Sequence, residues 1–120
     1  MTATLIIVGR FLLGLYFLQA GLRNFGKIPL HTGILQKRGV PMPRESLLLA
    51  LVVQVLGGLS VALGIFPAIG AVGLILFTLG ATLLYHDFWR FSGDERMSHF
   101  NSTMTNLALI GGFLLVIATA

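Results

Sequence analysis

Hydrophobic residues fill this chain in long blocks that two short polar windows interrupt. Eleven of the twelve charged residues lie between Arg23 and Glu45 or between Asp87 and Arg96, and the remaining one is Arg10. Uncharged apolar stretches of about 18 residues or more are typical of membrane-spanning helices. The pattern therefore predicts four spans, at about Thr4–Leu22, Ser46–Leu63, Ala68–Tyr85 and Thr103–Ala118.

The block from Ser46 to Tyr85 contains two of these spans. Its 40 residues are too many for one membrane crossing and suit two. The break falls at Gly64–Pro67, because glycine commonly ends a helix and proline suits the first turn of the next one. We therefore expect the second and third spans to form a tight helical hairpin.

Composition supports a membrane protein and excludes several other classes. Hydrophobic residues make up 56% of the chain and charged residues 10%, against roughly 25% charged in soluble domains. The fold class that we predict is all-α: a transmembrane antiparallel four-helix bundle in which residues 1–120 form a single domain. The chain has no cysteine, which excludes thiol redox chemistry and thiolate metal sites. Its basic residues lie beside the spans, so we expect the protein to contact the lipid bilayer and not to bind nucleic acid.

The basic residues also predict an orientation. With four spans, both charged loops fall on one side of the membrane, and the positive-inside rule assigns that side to the cytoplasm. Both termini would then lie outside the cell membrane. The basic residues of the two loops are Arg23, Lys27, Lys37, Arg38, Arg44, Arg90 and Arg96.

The first polar loop is long enough to hold a short helix of its own. Apolar residues between Lys27 and Arg38 recur at helical spacing and basic residues follow them, which indicates an amphipathic helix. Gly39–Pro43 would end this helix. Two interpretations stay open: the helix closes one end of the bundle, or it is a mobile gate or a docking element for a partner.

Polar residues in or near the spans are the candidates for chemistry. We predict a polar pocket at the cytoplasmic end, with His86 and Asn106 facing the bundle interior. The pocket candidates are Gln19, Asn24, His86, Trp89 and Asn106. Alternatively, Trp89 belongs to the aromatic belt at the membrane surface. The three histidines lack the spacing of metal ligands, so no metal site is predicted.

Arg10 and Gln54 form a second candidate group, deep inside the spans. Counting residues puts both about 12 to 15 Å from the outer ends of their helices, so we expect a buried pair. Gln54 would accept a hydrogen bond from the guanidinium, since every carboxylate is at the other end. The alternative is that Arg10 extends along its helix to the outer lipid headgroups.

An ordered set of motifs resembles the DoxX family of small integral membrane proteins, over nearly the whole chain. The matching segments are Gly9–Phe25, Gly39–Pro43, Gln54–Gly64, His86–Trp89, Phe100 and Asn106–Gly112. The sequence departs from the family pattern at Gln54, where a glutamate is common. This departure argues against a role that needs a titrating carboxylate there.

The resemblance implies a link to quinones, because the family is named after a membrane subunit of thiosulfate:quinone oxidoreduction. No cofactor is evident from the residues themselves, and a quinone is implied by the resemblance alone. The chain shows no redox centre, so we expect an accessory or anchor subunit that works with a redox-enzyme partner. Two alternatives stay open: a small-solute carrier or channel, which would require a homo-oligomer, and a non-catalytic structural or stress-related membrane protein.

Overall fold

The computed structural model describes all residues, 1–120, and consists of helices joined by short connections. The helices are α1 (Thr2–Phe25), α2 (Ile28–Lys37), α3 (Pro43–Leu63), α4 (Pro67–Tyr85) and α5 (Gly93–Ala118), with one 3-10 turn at Phe88–Arg90. All but α2 are long and apolar enough to cross a membrane. The all-α class and the four long apolar helices are therefore confirmed, and α2 is the short helix expected in the first loop.

The connection between α3 and α4 follows the predicted pattern of glycine and proline. Gly64 adopts the left-handed conformation, with φ of 72°, and its N–H donates to the carbonyl of Val61. The N–H of Ile65 reaches back to the carbonyl of Ser60, which completes a Schellman motif. Pro67 then opens α4. We call this side of the bundle the turn end, and the opposite side, with α2 and the 3-10 turn, the charged end.

One helix departs from the predicted length. The apolar pattern begins at Thr103, but α5 begins at Gly93, with Asp94 and Glu95 in its first turn. These acidic residues suit a helix N-terminus, where the helix dipole favours negative charge. Hydrophobicity marks the part of a helix suited to lipid and does not mark where the helix itself starts.

Small residues set the spacing of α1 and α3. A Cβ atom on Gly14 would overlap backbone atoms of Gly58 and Ala62, and one on Gly58 would lie 2.8 Å from the backbone nitrogen of Leu18. Further along, Gly21 faces Gln54. Residue numbers thus rise along α1 as they fall along α3, which is the order that oppositely directed helices produce.

The larger of the two buried hydrophobic clusters lies towards the turn end. Phe17, Val61, Leu74 and Phe113, which come from four different helices, form one buried cluster there. The outside of the bundle is apolar as well, and many large hydrophobic side chains such as Ile69 and Leu115 are exposed. An apolar outer surface around helices that satisfy their own backbone hydrogen bonds suits a lipid environment.

The α1–α3 contact gives a direct stability prediction. We expect Gly14→Ala to lower the free energy of unfolding in detergent by about 1–3 kcal/mol. The added carbon would overlap backbone atoms of α3, and these can make room only if the whole helix moves. Gly9→Ala is the matched control, because a Cβ there meets nothing within 4 Å. Thermal unfolding of both variants makes the comparison, and equal midpoints would contradict the close approach of the two helices.

Candidate functional site at the charged end

A chamber of about 500 Å³ lies inside the charged half of the bundle. Residues of α1, α3 and α4 form its walls, Asn106 and Leu109 of α5 border it, and α2 contributes His31 and Leu35. Most of the lining side chains are apolar, and several are as small as Ala50 and Gly80. This volume and this mostly apolar lining are typical of small-molecule sites.

The deep end of the chamber holds two buried polar groups without partners. Gln54 and Thr78 are only 3% and 2% exposed, and neither the Gln54 Oε1 nor the Thr78 hydroxyl has a hydrogen-bond partner within the chain. A buried polar atom left unpaired costs about 1–3 kcal/mol. Such groups usually acquire a partner from a ligand or from ordered water.

Hydrogen bonds order the polar residues nearer the charged end. Asn106 donates through Nδ2 to the hydroxyl of Thr82 over 2.8 Å. The Nδ1 atoms of His86 and His99 are 3.1 Å apart, so one of them must carry a proton and donate to the other. These contacts join α4 to α5 at the level where the chamber meets the charged end.

Helix α2 is fastened over the chamber by two polar contacts to α4 and its extension. His31 Nδ1 is 3.0 Å from the Tyr85 hydroxyl, and Arg38 donates to the Asp87 carboxylate over 2.5 Å. Asp87 is 3% exposed and also accepts from Arg90. Burial and the nearby positive charge of Lys27 hold the pKa of His31 below its usual value. The chamber is therefore covered by a helix that is attached near both of its ends.

Three of the five predicted pocket residues line the chamber, namely Asn24, His86 and Asn106. Gln19 does not, because its amide donates to the backbone carbonyl of Tyr16 in the same helix. Trp89 does not either: it is 58% exposed and packs edge-on against Phe88. Its position on the outside is the one that an aromatic belt would give it.

The structure does not bring Arg10 and Gln54 together. Gln54 lies opposite Gly21, eleven residues further along α1, whereas the guanidinium of Arg10 lies beside Gly64. The expected pair fails because Arg10 is level with the end of α3, so its long side chain reaches the turn end and not the chamber. The alternative, that Arg10 extends to the outer lipid headgroups, stays a prediction.

Sequence reasoning missed two chamber residues that the helical pattern could have indicated. His31 follows Ile28 by three residues and precedes Leu35 by four, so it shares the inward face of α2. Thr78 likewise follows Ala71 and Leu74, which are both buried. Both polar residues therefore occupy positions where the period of the helix calls for a buried side chain.

Four long apolar helices around a partly polar chamber define a small multi-pass integral membrane protein. The model of the DoxX family matches residues 5–87, more than half of the chain. The chain therefore belongs to the DoxX family. It is also 30% identical over 118 residues to the inner membrane protein YphA of Escherichia coli strain K12. The alignment covers 96% of this chain and 82% of YphA. No solved structure matches the chain.

The attachment of α2 can be tested by removing its buried anion. We expect Asp87→Ala to speed amide hydrogen exchange throughout α2, since Arg38 and Arg90 both lose their carboxylate partner and Arg38 keeps only the Leu83 carbonyl. Asp94→Ala is the control, because Asp94 is exposed and forms no ion pair. Unchanged exchange in α2 of the Asp87→Ala protein would show that this contact does not hold the helix.

Acidification should loosen the same helix. The pKa of His31 is lower in the folded protein than the roughly 6.5 of an unfolded chain. The unfolded state therefore binds the proton more readily, so stability is complete above about pH 6.5 and falls as the pH drops towards the lowered pKa. We expect the protection of the α2 amides, taken relative to their intrinsic exchange rate at each pH, to fall from pH 7.5 to about 5.5, and to fall less in His31→Phe. An equal loss of protection in both proteins would assign the effect to other groups.

Proposed function

We propose that this protein is a small quinone-binding membrane subunit that works beside a redox enzyme. The observation that carries the proposal is the chamber, in which mostly apolar walls surround the unpartnered Gln54 and Thr78. A quinone and its reduced quinol have the matching chemistry, since the flat apolar ring carries two oxygens at opposite edges. The quinone carbonyls accept hydrogen bonds, and the quinol hydroxyls can also donate to the unpartnered Gln54 Oε1. When bound, the quinone would supply the electron-carrying group that the side chains of this chain lack.

Donors are available at both ends of the chamber. At the deep end, the Gln54 amide and the Thr78 hydroxyl can each donate to a carbonyl oxygen. Nearer the charged end, His86 and Tyr85 line the same space. Phe17 and Phe77 contribute aromatic surface to the wall. This set of residues would hold the ring and orient both carbonyls, while the isoprenoid tail would extend into lipid.

The proposal assigns the redox centre to a partner at the charged end. The basic loops favour a cytoplasmic location for this end, and both termini would then lie on the outer side of the inner membrane. YphA, the relative in Escherichia coli, is named as an inner membrane protein. Trp89 and Arg90 are exposed on this face, next to the chamber residue His86, and offer a surface on which a redox enzyme could dock.

A solute carrier is the weaker candidate. A polar crevice lined by Ser98, Asn101 and Ser102 shares Tyr16, His86 and Asn106 with the chamber, which favours access from the charged end. The opposite side of the chamber, however, meets the buried cluster around Phe17 and Phe113. A dense core across the bundle favours binding over passage through a single chain.

Two glycines allow a matched test of binding. Gly80 lines the chamber, and a Cβ there meets nothing within 4 Å, so we expect Gly80→Leu to occupy part of the chamber with no clash at its Cβ. We expect its affinity for menadione, a tailless naphthoquinone, to fall at least about tenfold in a detergent titration. If the quinone instead binds on the outer surface, this substitution should leave its affinity unchanged.

Gly111→Leu is the control for that titration. Gly111 is also helical with open space at its Cβ position, but it does not line the chamber. We expect this variant to bind menadione like the unaltered protein. Absence of binding to the unaltered protein, or equal binding by all three proteins, would contradict the proposed function.

A further inference from the structure

Arg10 is the only charged side chain at the turn end of the bundle. It is half-buried on α1, and an ideal Cβ on Gly64 would lie 3.6 Å from its Nη2 atom. The guanidinium is therefore level with the point where α3 ends and the chain turns into α4. Nothing in the chamber or in the proposed quinone site involves this residue.

The guanidinium has no acceptor within the chain. It carries five N–H donors, yet no side-chain hydrogen bond involves Arg10, and its buried Nε has no partner. Both ion pairs of the protein use Asp87. The acidic side chains are Glu45, Asp87, Asp94 and Glu95, which all belong to the charged end.

The end of α3 supplies only part of what is missing. A cation is favoured beside a helix C-terminus, but the carbonyls of Ser60 and Val61 already accept from Ile65 and Gly64. The guanidinium N–H groups are therefore left without an acceptor in the chain, and a negatively charged acceptor from outside the chain would satisfy them.

The level of Arg10 identifies the acceptor. Non-helical backbone does not face lipid hydrocarbon, so the turn at Gly64–Phe66 belongs to the headgroup layer. The abundant anion of that layer is the phospholipid phosphate, and the planar guanidinium binds phosphate through two parallel hydrogen bonds. We propose that Arg10 binds the phosphate of a phospholipid in the leaflet at the turn end.

A pair of lipids that differ in the phosphate tests this site. Delipidated protein in a maltoside detergent is titrated with dioleoylphosphatidylcholine or with dioleoylglycerol that carries a glucose headgroup, and the thermal unfolding midpoint is recorded. Phosphatidylcholine has no net charge, which limits its attraction to the basic loops. We expect it to raise the midpoint at lower concentration than the glucolipid does.

Substitutions then assign that preference to Arg10. In Arg10→Gln we expect the half-maximal phosphatidylcholine concentration to rise at least about tenfold. Arg10→Lys keeps the charge but not the planar pair of donors. Its half-maximal concentration should lie between those of the unaltered protein and Arg10→Gln. This variant also provides the comparison if Arg10→Gln does not fold. Arg44→Gln, at an exposed basic residue of the charged end, should behave like the unaltered protein.

Three results would overturn the proposal. The first is an equal response of the unaltered protein to both lipids. The second is an unchanged half-maximal concentration in the Arg10 variants. The third is a full rise of the midpoint with inorganic phosphate alone, which would assign the site to a free anion and not to a lipid.

Discussion

The close approach of α1 to α3 at Gly14 and Gly58 is the contact on which the rest of the bundle depends. Lipid provides no hydrophobic drive for helices to associate, so they must gain from close packing and from direct polar contacts. Backbone contact at these glycines fixes the offset of α1 relative to α3 along the helix axes. It thereby places Gly21 opposite Gln54 and Arg10 beside Gly64, and so sets the surroundings of both polar groups.

The two halves of the bundle use their side chains differently. At the turn end, large residues such as Phe113 and Leu74 are fully buried between the helices. At the charged end, small residues such as Ala50 and Gly80 leave the chamber open, and polar contacts of α2 cover it. A stable core therefore supports a region that retains unpaired buried polar groups, an arrangement expected of a binding site.

The sequence was sufficient to predict the number of long helices, because charge interrupts hydrophobicity at the loops. It also predicted the α3–α4 turn, because Gly64 and Pro67 have specific backbone preferences. Counting residues gave the approximate height of each polar group but not its direction around the helix axis. Asn24 and His86 line the chamber, whereas Gln19, which bonds to its own helix, does not, and counting residues could not distinguish them.

An error in the axial offset between two helices accounts for the expected pair of Arg10 and Gln54. The expected Arg10–Gln54 pair assumed that α1 and α3 end at the same level, but contacts at Gly14 and Gly21 place Arg10 beside the turn. Such an offset depends on which small residues meet, and a single sequence contains several candidates. Thr78 is a different case, because its helical spacing from the buried Ala71 and Leu74 already indicates that it faces inward.

Infrared spectroscopy of a bound quinone tests the central claim, that the chamber holds a quinone against Gln54 and Thr78, most directly. Menadione labelled with ¹³C at one carbonyl at a time is bound to the protein in detergent, and its C=O stretching bands are compared with those in empty micelles. The account predicts that one carbonyl band shifts to lower frequency in the protein and returns towards the micelle value in Gln54→Leu. Bands that match those in micelles, or a shift that Gln54→Leu leaves unchanged, would contradict it.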